Sequence, residues 1–123
     1  MPSTHRLSPT SRCGGLTDLR SLVRLACVDG INLKLGKHGG VLIAARLGLE
    51  ARSAGLRLMT GGMVETRLGM TAAAHVACAL GGVDFVDLDT AWLLADDPYR
   101  GGYEADGPHY TMPASRGLGV TSR

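Results

Sequence analysis

The sequence has few aromatic residues, few cysteines and little excess charge of either sign. Phenylalanine, tryptophan and tyrosine make up 4% of the 123 residues, whereas glycine contributes 18. The core must therefore be filled by small and aliphatic side chains, which favours an α/β fold with closely packed helices and strands. The three cysteines, Cys13, Cys27 and Cys78, are far apart and form no C-x-x-C pair. Neither a zinc site nor a disulfide framework is indicated, and a reducing cytoplasm is the simplest setting.

Two classes of partner are disfavoured by charge and hydropathy. The net charge is only +2 and the basic residues are scattered, so the chain lacks the basic stripe expected of a nucleic-acid binder. Glycine, arginine or aspartate interrupts every apolar stretch before it reaches the roughly 20 residues that cross a bilayer. The first residues also lack the apolar segment of a signal peptide. We expect one small soluble domain with no nucleic-acid or membrane partner.

Helical and strand-like patterns alternate through the middle of the chain. The predicted helices cover 16–26, 41–54 and 68–80, and the predicted strands cover 28–34, 56–59 and 83–89. This order, with short connections, favours parallel strands joined by crossover helices. An open doubly wound sheet and part of a (β/α)8 barrel both fit the pattern, and spacing does not separate them.

The alternation stops in the last third of the chain. Gly101-Gly102, Asp106-Gly107 and two prolines separate short tyrosine-containing segments there, which predicts a hairpin. An isolated two-stranded hairpin is only marginally stable in water. We therefore expect the tail to cover its apolar side on another surface.

Polar residues stand where the predicted strands end. Lys34 ends the first strand, the turn 60–65 follows the second, and Asp87 and Asp89 close the third. In parallel α/β barrels the C-terminal strand ends face the active site. The alternative interpretation is that each is a solvated loop charge.

Four motifs carry a resemblance to one family. Residues 31–40 read I-N-L-K-L-G-K-H-G-G, residues 61–66 G-G-M-V-E-T, residues 85–89 F-V-D-L-D and residues 117–120 G-L-G-V. In this order and at these distances they resemble the sixth strand, the seventh-strand turn, the eighth strand and the terminal segment of enolase-superfamily enzymes of the muconate-lactonizing type. The family's sixth-strand segment reads roughly N-I-K-x-x-K-x-G-G. A lone N-x-K would be weak evidence for this family, but four motifs in this order are a specific signal.

The resemblance implies the C-terminal part of an enolase-type (β/α)8 barrel, with about the last three strands and their helices, plus a hairpin tail. Residues 16–90 are then partial barrel units, and residues 91–123 are a tail that would pack on a capping domain absent from this chain. Residues 1–15 are atypical of the family and are expected to be disordered.

By the same resemblance, Lys34 matches the lysine that removes or returns the proton α to a carboxylate. Asp87 and Asp89 share a strand face, because strand side chains alternate with period two. They resemble the dipeptide-epimerase site that holds the substrate's α-ammonium group, where two carboxylates satisfy one cation. Glu65 is expected to contact substrate or to orient Lys34, or else to hydrogen-bond backbone in its own turn.

Lys37 and His38 are interpreted as structural or loop residues. Family enzymes bind Mg²⁺ to stabilise the enediolate. Their second catalytic lysine and their metal carboxylates lie on strands upstream of the region that this chain resembles. We therefore expect no metal ligands in this chain and no turnover by the chain alone.

The family's fifth-strand motif D-E-S is expected just before Leu16, where the chain reads S-P-T-S-R-C-G-G. Residues 1–15 can be back-translated with permitted codons so that a shifted reading frame gives A-V-D-A-P-A-V-A-D-E-S-V-R-G. Removing one G from the closing glycine codons joins that string in frame to Leu16. We hypothesise a one-base frameshift, which would leave the segment without selected structure or function.

The sequence thus predicts a fragment of a Mg-dependent dipeptide epimerase. A muconate cycloisomerase-like or o-succinylbenzoate synthase-like fragment is the alternative within the superfamily. A non-catalytic piece that completes its site with a separate N-terminal portion is another, because exposed strand edges permit association. The expected partners are a small dipeptide or carboxylate substrate and either that N-terminal portion or further copies of the chain.

Overall fold

The computed structural model describes residues 7–8 and 13–123. The helices are α1 (Leu16–Leu25), α2 (Val41–Ser53) and α3 (Arg67–Leu80), with a 3-10 helix at Asp89–Leu93. The strands are β1 (Leu7–Ser8), β2 (Gly30–Leu33), β3 (Arg57–Thr60), β4 (Phe85–Val86), β5 (Tyr99–Gly101), β6 (Glu104–Asp106), β7 (His109–Thr111) and β8 (Val120–Ser122). The predicted helix and strand alternation is confirmed.

The first four strands form one parallel sheet in the order β1-β2-β3-β4. Strands β2 and β3 pair over four residues each, from Gly30 opposite Arg57 to Leu33 opposite Thr60. The outer strands β1 and β4 each contain two residues. Within the described residues this sheet is therefore open, with a short strand at each edge.

The core lies between this sheet and helices α2 and α3, which pack on each other and on the central strands. Small residues allow the close approach. A Cβ at Gly48 of α2 would lie 2.6 Å from Leu80 Cδ1 of α3 and 3.1 Å from Leu33 Cδ1 of β2. Arg52 donates to the carbonyls of Leu80 and Gly81, where the last carbonyls of α3 attract a cation. The core therefore depends on a small residue where the two helices meet, as the sequence predicts.

The predicted last strand is shorter than expected. It was predicted over 83–89, whereas β4 covers Phe85–Val86 and Asp89 begins the 3-10 helix. Among the described residues β4 pairs only with β3, and Asp84 uses its carboxylate to accept from the Leu58 N–H at 2.8 Å. Asp84 therefore bonds Leu58 twice, because its backbone N–H also donates to the Leu58 carbonyl at 2.9 Å. One backbone bond thus flanks the two-residue strand at each end.

The prediction of a disordered 1–15 segment falls mostly outside the described residues. Of its described part, Leu7–Ser8 pair in parallel with β2. Cys13 is buried and borders the core, and the Gly14 N–H donates to Asp18 Oδ2 at 2.8 Å before α1 begins. Disorder and the frameshift both remain predictions.

The tail forms the predicted hairpin, β6–β7, with Asp106 opposite His109. It also contains a second antiparallel pair, β5–β8. Both β5 and β8 contact α3, and Tyr103 is buried against the core. One side of the tail is therefore covered within this chain, and packing of the tail on a capping domain stays a prediction. No helix in the described part of the chain is both long and apolar enough to cross a membrane.

Candidate active site

Three strand ends align at one edge of the sheet. Past the last paired residues, the Gly61 N–H donates to the Leu33 carbonyl at 3.0 Å and the Asp87 N–H donates to the Thr60 carbonyl at 2.9 Å. These bonds continue the register of the ladder by one residue. Lys34, Gly61 and Asp87 therefore form one row across the C-terminal ends of β2, β3 and β4.

Lys34 lies on the face of the sheet opposite the helices. Leu33 is buried under α2 and α3, and side chains alternate along a strand, so Asn32 and Lys34 project from the other face. A Cβ on Gly61 would lie 3.2 Å from Asn32 Oδ1 and 3.6 Å from the Asp87 carbonyl oxygen. Gly61 thus places no side chain between Lys34 and Asp87, and the Asn32 amide lies close to its backbone.

The carboxylates of Asp87 and Asp89 come together at the end of this row. A hydrogen bond to Asp87, together with the negative charge of Asp87, raises the pKa of the Asp89 carboxyl above its ordinary value. The 3-10 turn beginning at Asp89, rather than strand alternation, sets this geometry. Two exposed carboxylates held this close attract a cation, because their mutual repulsion is relieved when one binds.

Two tyrosines of the tail hold Leu88, the residue between these aspartates. The Tyr103 hydroxyl donates to the Leu88 carbonyl, and the Leu88 N–H donates to the Tyr110 hydroxyl at 3.4 Å. The two rings pack with centroids 5.8 Å apart at an interplanar angle of 57°. Burial raises the pKa of Tyr103, which keeps its hydroxyl a donor. The tail thus fixes the backbone that presents the aspartate pair.

Arg67 secures the tail to the start of α3. Its guanidinium lies 5.4 Å from the Tyr103 ring centre and donates to the carbonyls of Gly101 at 3.0 Å and Tyr103 at 2.8 Å. A cation over an aromatic face is attracted by the ring quadrupole. Asp97 accepts from the Arg67 backbone N–H at 2.6 Å. Tyr103 is therefore oriented from both its ring and its backbone.

The backbone of Lys34 is tied into a tight turn. Its carbonyl accepts from the N–H groups of Lys37 at 3.1 Å and His38 at 2.9 Å, and its N–H donates to Nδ1 of the His38 ring at 3.0 Å. Within the described residues the Lys34 amine forms no ion pair within 4.0 Å. The amine is therefore available at the row of strand ends.

Glu65 hydrogen-bonds within its own turn. Its Oε1 accepts from the Met63 N–H at 3.1 Å. This is the backbone hydrogen bond that the sequence offered as one of two alternatives for Glu65. The carboxylate also lies against Gly36, where a Cβ would be 3.2 Å from Oε1. A substrate contact by Glu65 stays a prediction.

The residues that the structure describes contain no ligand set for Mg²⁺. No three histidine, cysteine, aspartate or glutamate side chains converge there, and Mg²⁺ prefers several oxygen ligands in octahedral geometry. The aspartate pair alone offers two carboxylates at a solvent-exposed edge. These residues therefore do not fit a metal centre.

The sequence did not single out the two tail tyrosines, and it assigned His38 no specific partner. Tyr103 and His38 are each 1% exposed. Burial of a polar side chain requires hydrogen-bond partners, but which partners depends on distant segments. The one clue to His38 in the sequence was that a histidine occupies a variable position of the family motif.

The chain matches a family model described as "Enolase C-terminal domain-like" over residues 4–123. It is 44% identical over 105 residues to an L-Ala-D/L-amino acid epimerase of Populus trichocarpa, covering 85% of this chain and 25% of that protein. A mandelate racemase/muconate lactonizing protein from Herpetosiphon aurantiacus superposes with a TM-score of 0.85 at 34% identity, covering 92% of this chain and 32% of that one. A dipeptide epimerase from Cytophaga hutchinsonii, solved with Mg and the dipeptide D-Ala-L-Val, gives 0.83 at 34% identity, with coverages of 90% and 30%.

The chain belongs to the enolase C-terminal domain-like family. The expected fold class is confirmed: an α/β fold whose open parallel sheet corresponds to part of a (β/α)8 barrel, with relatives of the dipeptide-epimerase type. The chain spans about a quarter to a third of the length of these relatives.

Proposed function

We propose that this chain supplies one side of a dipeptide-epimerase active site and is inactive alone. Lys34 would be one of the two bases that act on the proton α to a carboxylate, and Asp87 with Asp89 would bind the dipeptide's α-ammonium group. The observation that carries the proposal is the single row of Lys34, Gly61 and Asp87, with the aspartate pair at its end.

The spacing of this row suits a dipeptide. Neighbouring strands are about 4.8 Å apart, so the backbones of Lys34 and Asp87 stand about 10 Å apart with Gly61 between them. In a dipeptide the α-nitrogen is roughly 5 Å from the next Cα. Adding a charge-assisted hydrogen bond of about 2.8 Å and a base about 3 Å from the reacting carbon gives about 11 Å. This reach is comparable with the backbone separation of the two strand ends, which supports the proposal that one strand end binds the ammonium group and the other presents the base.

In the proposed step, the unprotonated Lys34 amine takes the proton from the second residue's α-carbon. The C–H electron pair moves into the adjacent carboxylate, forming an enediolate, and the proton ends on Nζ. Inversion requires return of a proton to the opposite face by another base. Mg²⁺, when bound in family enzymes, stabilises the enediolate charge. The described residues supply neither the second base nor a ligand set for Mg²⁺. We therefore expect no turnover from this chain.

Two assays test the proposal. The purified chain with Mg²⁺ and L-Ala-L-Glu should give no epimerisation, and measurable turnover would contradict inactivity. A chimera should place this chain's residues 16–123 after the upstream part of the Cytophaga hutchinsonii epimerase, to which it is structurally similar. The chimera should exchange the substrate α-proton in D₂O.

Matched variants of the chimera isolate the roles of Lys34 and the aspartates. Lys34→Ala should lower the rate by about 10²- to 10⁴-fold, whereas Lys37→Ala, three residues on, should change it by less than about threefold. N-acetyl-L-Ala-L-Glu lacks the ammonium and should be a poor substrate. Equal turnover of the acetylated dipeptide would instead favour a cycloisomerase-like or o-succinylbenzoate synthase-like site for anionic substrates.

A second candidate function is non-catalytic assembly with a separate N-terminal portion. It is favoured by the apolar surface beside the β4 edge, where Phe85 and Val86 are each about two-fifths exposed and Trp92 and Leu93 more than half exposed. Co-expression with an upstream barrel portion, followed by size-exclusion chromatography, distinguishes the outcomes. A one-to-one complex supports assembly, separate elution contradicts it, and self-association identifies further copies of the chain as the partner. The unpaired cysteines support our placement of this association in a reducing cytoplasm.

A further inference from the structure

His38 joins two segments that meet beside the Lys34 base. It is 1% exposed, although it follows the strand end in a turn. Its Nδ1 accepts from the Lys34 N–H at 3.0 Å, and its Nε2 lies 2.8 Å from the Cys13 carbonyl. The ring therefore connects the end of β2 to the residues that precede α1.

In the part of the chain that the structure describes, the Lys34 N–H is bonded by a side chain and not by a neighbouring strand. Backbone groups of successive strand residues point alternately toward the two neighbouring strands. The Leu33 carbonyl accepts from Gly61 on the β3 side, so the Lys34 N–H faces the β1 side. The described part of β1 ends at Ser8, opposite Ile31. Within the described residues, the acceptor for this N–H is the His38 ring.

The partners of the ring determine its protonation state. A backbone N–H only donates and a carbonyl only accepts, so Nδ1 must be bare and Nε2 must carry the proton. A second proton would lie on Nδ1, against the Lys34 N–H. Burial lowers the pKa of His38, and the nearby charges of Lys37 and Lys34 lower it further, against the opposing effect of the Cys13 carbonyl. The neutral ring is the form that fits this site.

We infer that His38 is a positioning residue for Lys34, holding the lysine backbone so that its amine points along the row of strand ends. The inference rests on the proposed role of Lys34 as a base. The Lys34 carbonyl already binds the N–H groups of residues 37 and 38, and the ring fixes the other side of the same residue. Gly39 and Gly40, with φ of 74° and 92°, then let the chain turn into α2. Catalytic groups need their backbone held to within about half an ångström.

Two substitutions separate positioning from general stability. Asn Oδ1 is two bonds from Cβ, like His Nδ1, and Gln Nε2 is three bonds from Cβ, like His Nε2. His38→Asn should keep the acceptor for Lys34 and lose the donor to Cys13, whereas His38→Gln should do the reverse. Each variant loses one hydrogen bond, so their losses of overall stability should be similar. His109→Asn, in the exposed strand β7, is the chemically matched control.

Amide hydrogen exchange of the full-length chain by NMR tests the inference without substrate. Protection of the Lys34 amide, relative to that of Leu33, should fall about tenfold in His38→Gln and stay within about twofold of wild type in His38→Asn and in the control. Equal protection in both His38 variants overturns the inference. The epimerase proposal would be unaffected, because only the chimera assay depends on the base.

If the variants do not fold, the imidazole ¹⁵N spectrum of the wild-type chain decides. At pH 7 His38 should be the neutral tautomer with its proton on Nε2. A ring that is charged at pH 7, or that carries its proton on Nδ1, cannot accept from Lys34 and overturns the inference.

Discussion

Removing the Tyr103 hydroxyl should destabilise the chain and loosen the aspartate pair. Tyr103 and Leu88 are each 1% exposed, so Tyr103→Phe leaves the Leu88 carbonyl buried without its donor. An unsatisfied buried acceptor costs about 1–3 kcal/mol. Tyr110→Phe is the matched control. It loses a bond of 3.4 Å from a half-buried ring, so it should cost less than about 1 kcal/mol.

Urea denaturation measures this difference directly. The midpoint should fall in Tyr103→Phe while the slope m stays constant. The melting temperature should drop by about 3–18 °C, since 1 kcal/mol corresponds to about 3–6 °C in a chain of this length. Carboxyl NMR adds a readout at the site: the raised pKa of Asp89, caused by its closeness to Asp87, should move toward its ordinary value in Tyr103→Phe. Wild-type stability with an unchanged Asp89 titration would refute the proposal that Tyr103 holds the backbone between the two aspartates.

Three further predictions concern the aspartate pair, the turn after β3 and the gene. The folded-state pKa of Asp89 lies above 3.8, so wild-type stability should fall as pH rises from 3.8 through that raised value. Asp89→Asn should remove the fall in melting curves from pH 3 to 7, and an identical pH profile contradicts this. Gly62→Ala places a Cβ 2.7 Å from Met70 Sδ and Thr90 Oγ1 and should cost about 1–3 kcal/mol. Gly15→Ala, with nothing within 4 Å, should cost less than about 1 kcal/mol, and equal unfolding midpoints would rule the clash out. Sequencing of the locus should show a D-E-S-coding frame one base out of register with the glycine codons, whereas its absence rejects the frameshift.

The order of elements was predictable because local periodicity determines it. All three main helices begin and end within one residue of their predicted bounds, since helical spacing and glycine stops are local signals. Lys34 was predicted as the last residue of the first strand, whereas β2 ends one residue earlier at Leu33. Strand ends were less predictable, because a strand extends only as far as its neighbour pairs with it. The two-residue β4 therefore replaced a predicted strand of 83–89.

The supporting contacts of the site were not predictable from local patterns. His38 reaches back 25 residues to Cys13, and Tyr103 reaches 15 residues back to Leu88. Such bonds depend on how separate segments pack, and no periodicity encodes them. The aspartate pair was anticipated through alternation along a strand, yet a 3-10 turn brings the two carboxylates together.

The short edge strands affect how the chain should behave at high concentration. An exposed edge can add strands from other molecules and so begin aggregation, and very short edge strands limit this. Here β1 and β4 have two residues each, half the length of the central strands. A neighbouring molecule would gain few backbone hydrogen bonds from the described residues at either edge, so this part of the sheet is a poor template for fibre growth. Any specific partner must then be selected mainly by side chains such as Phe85 and Trp92.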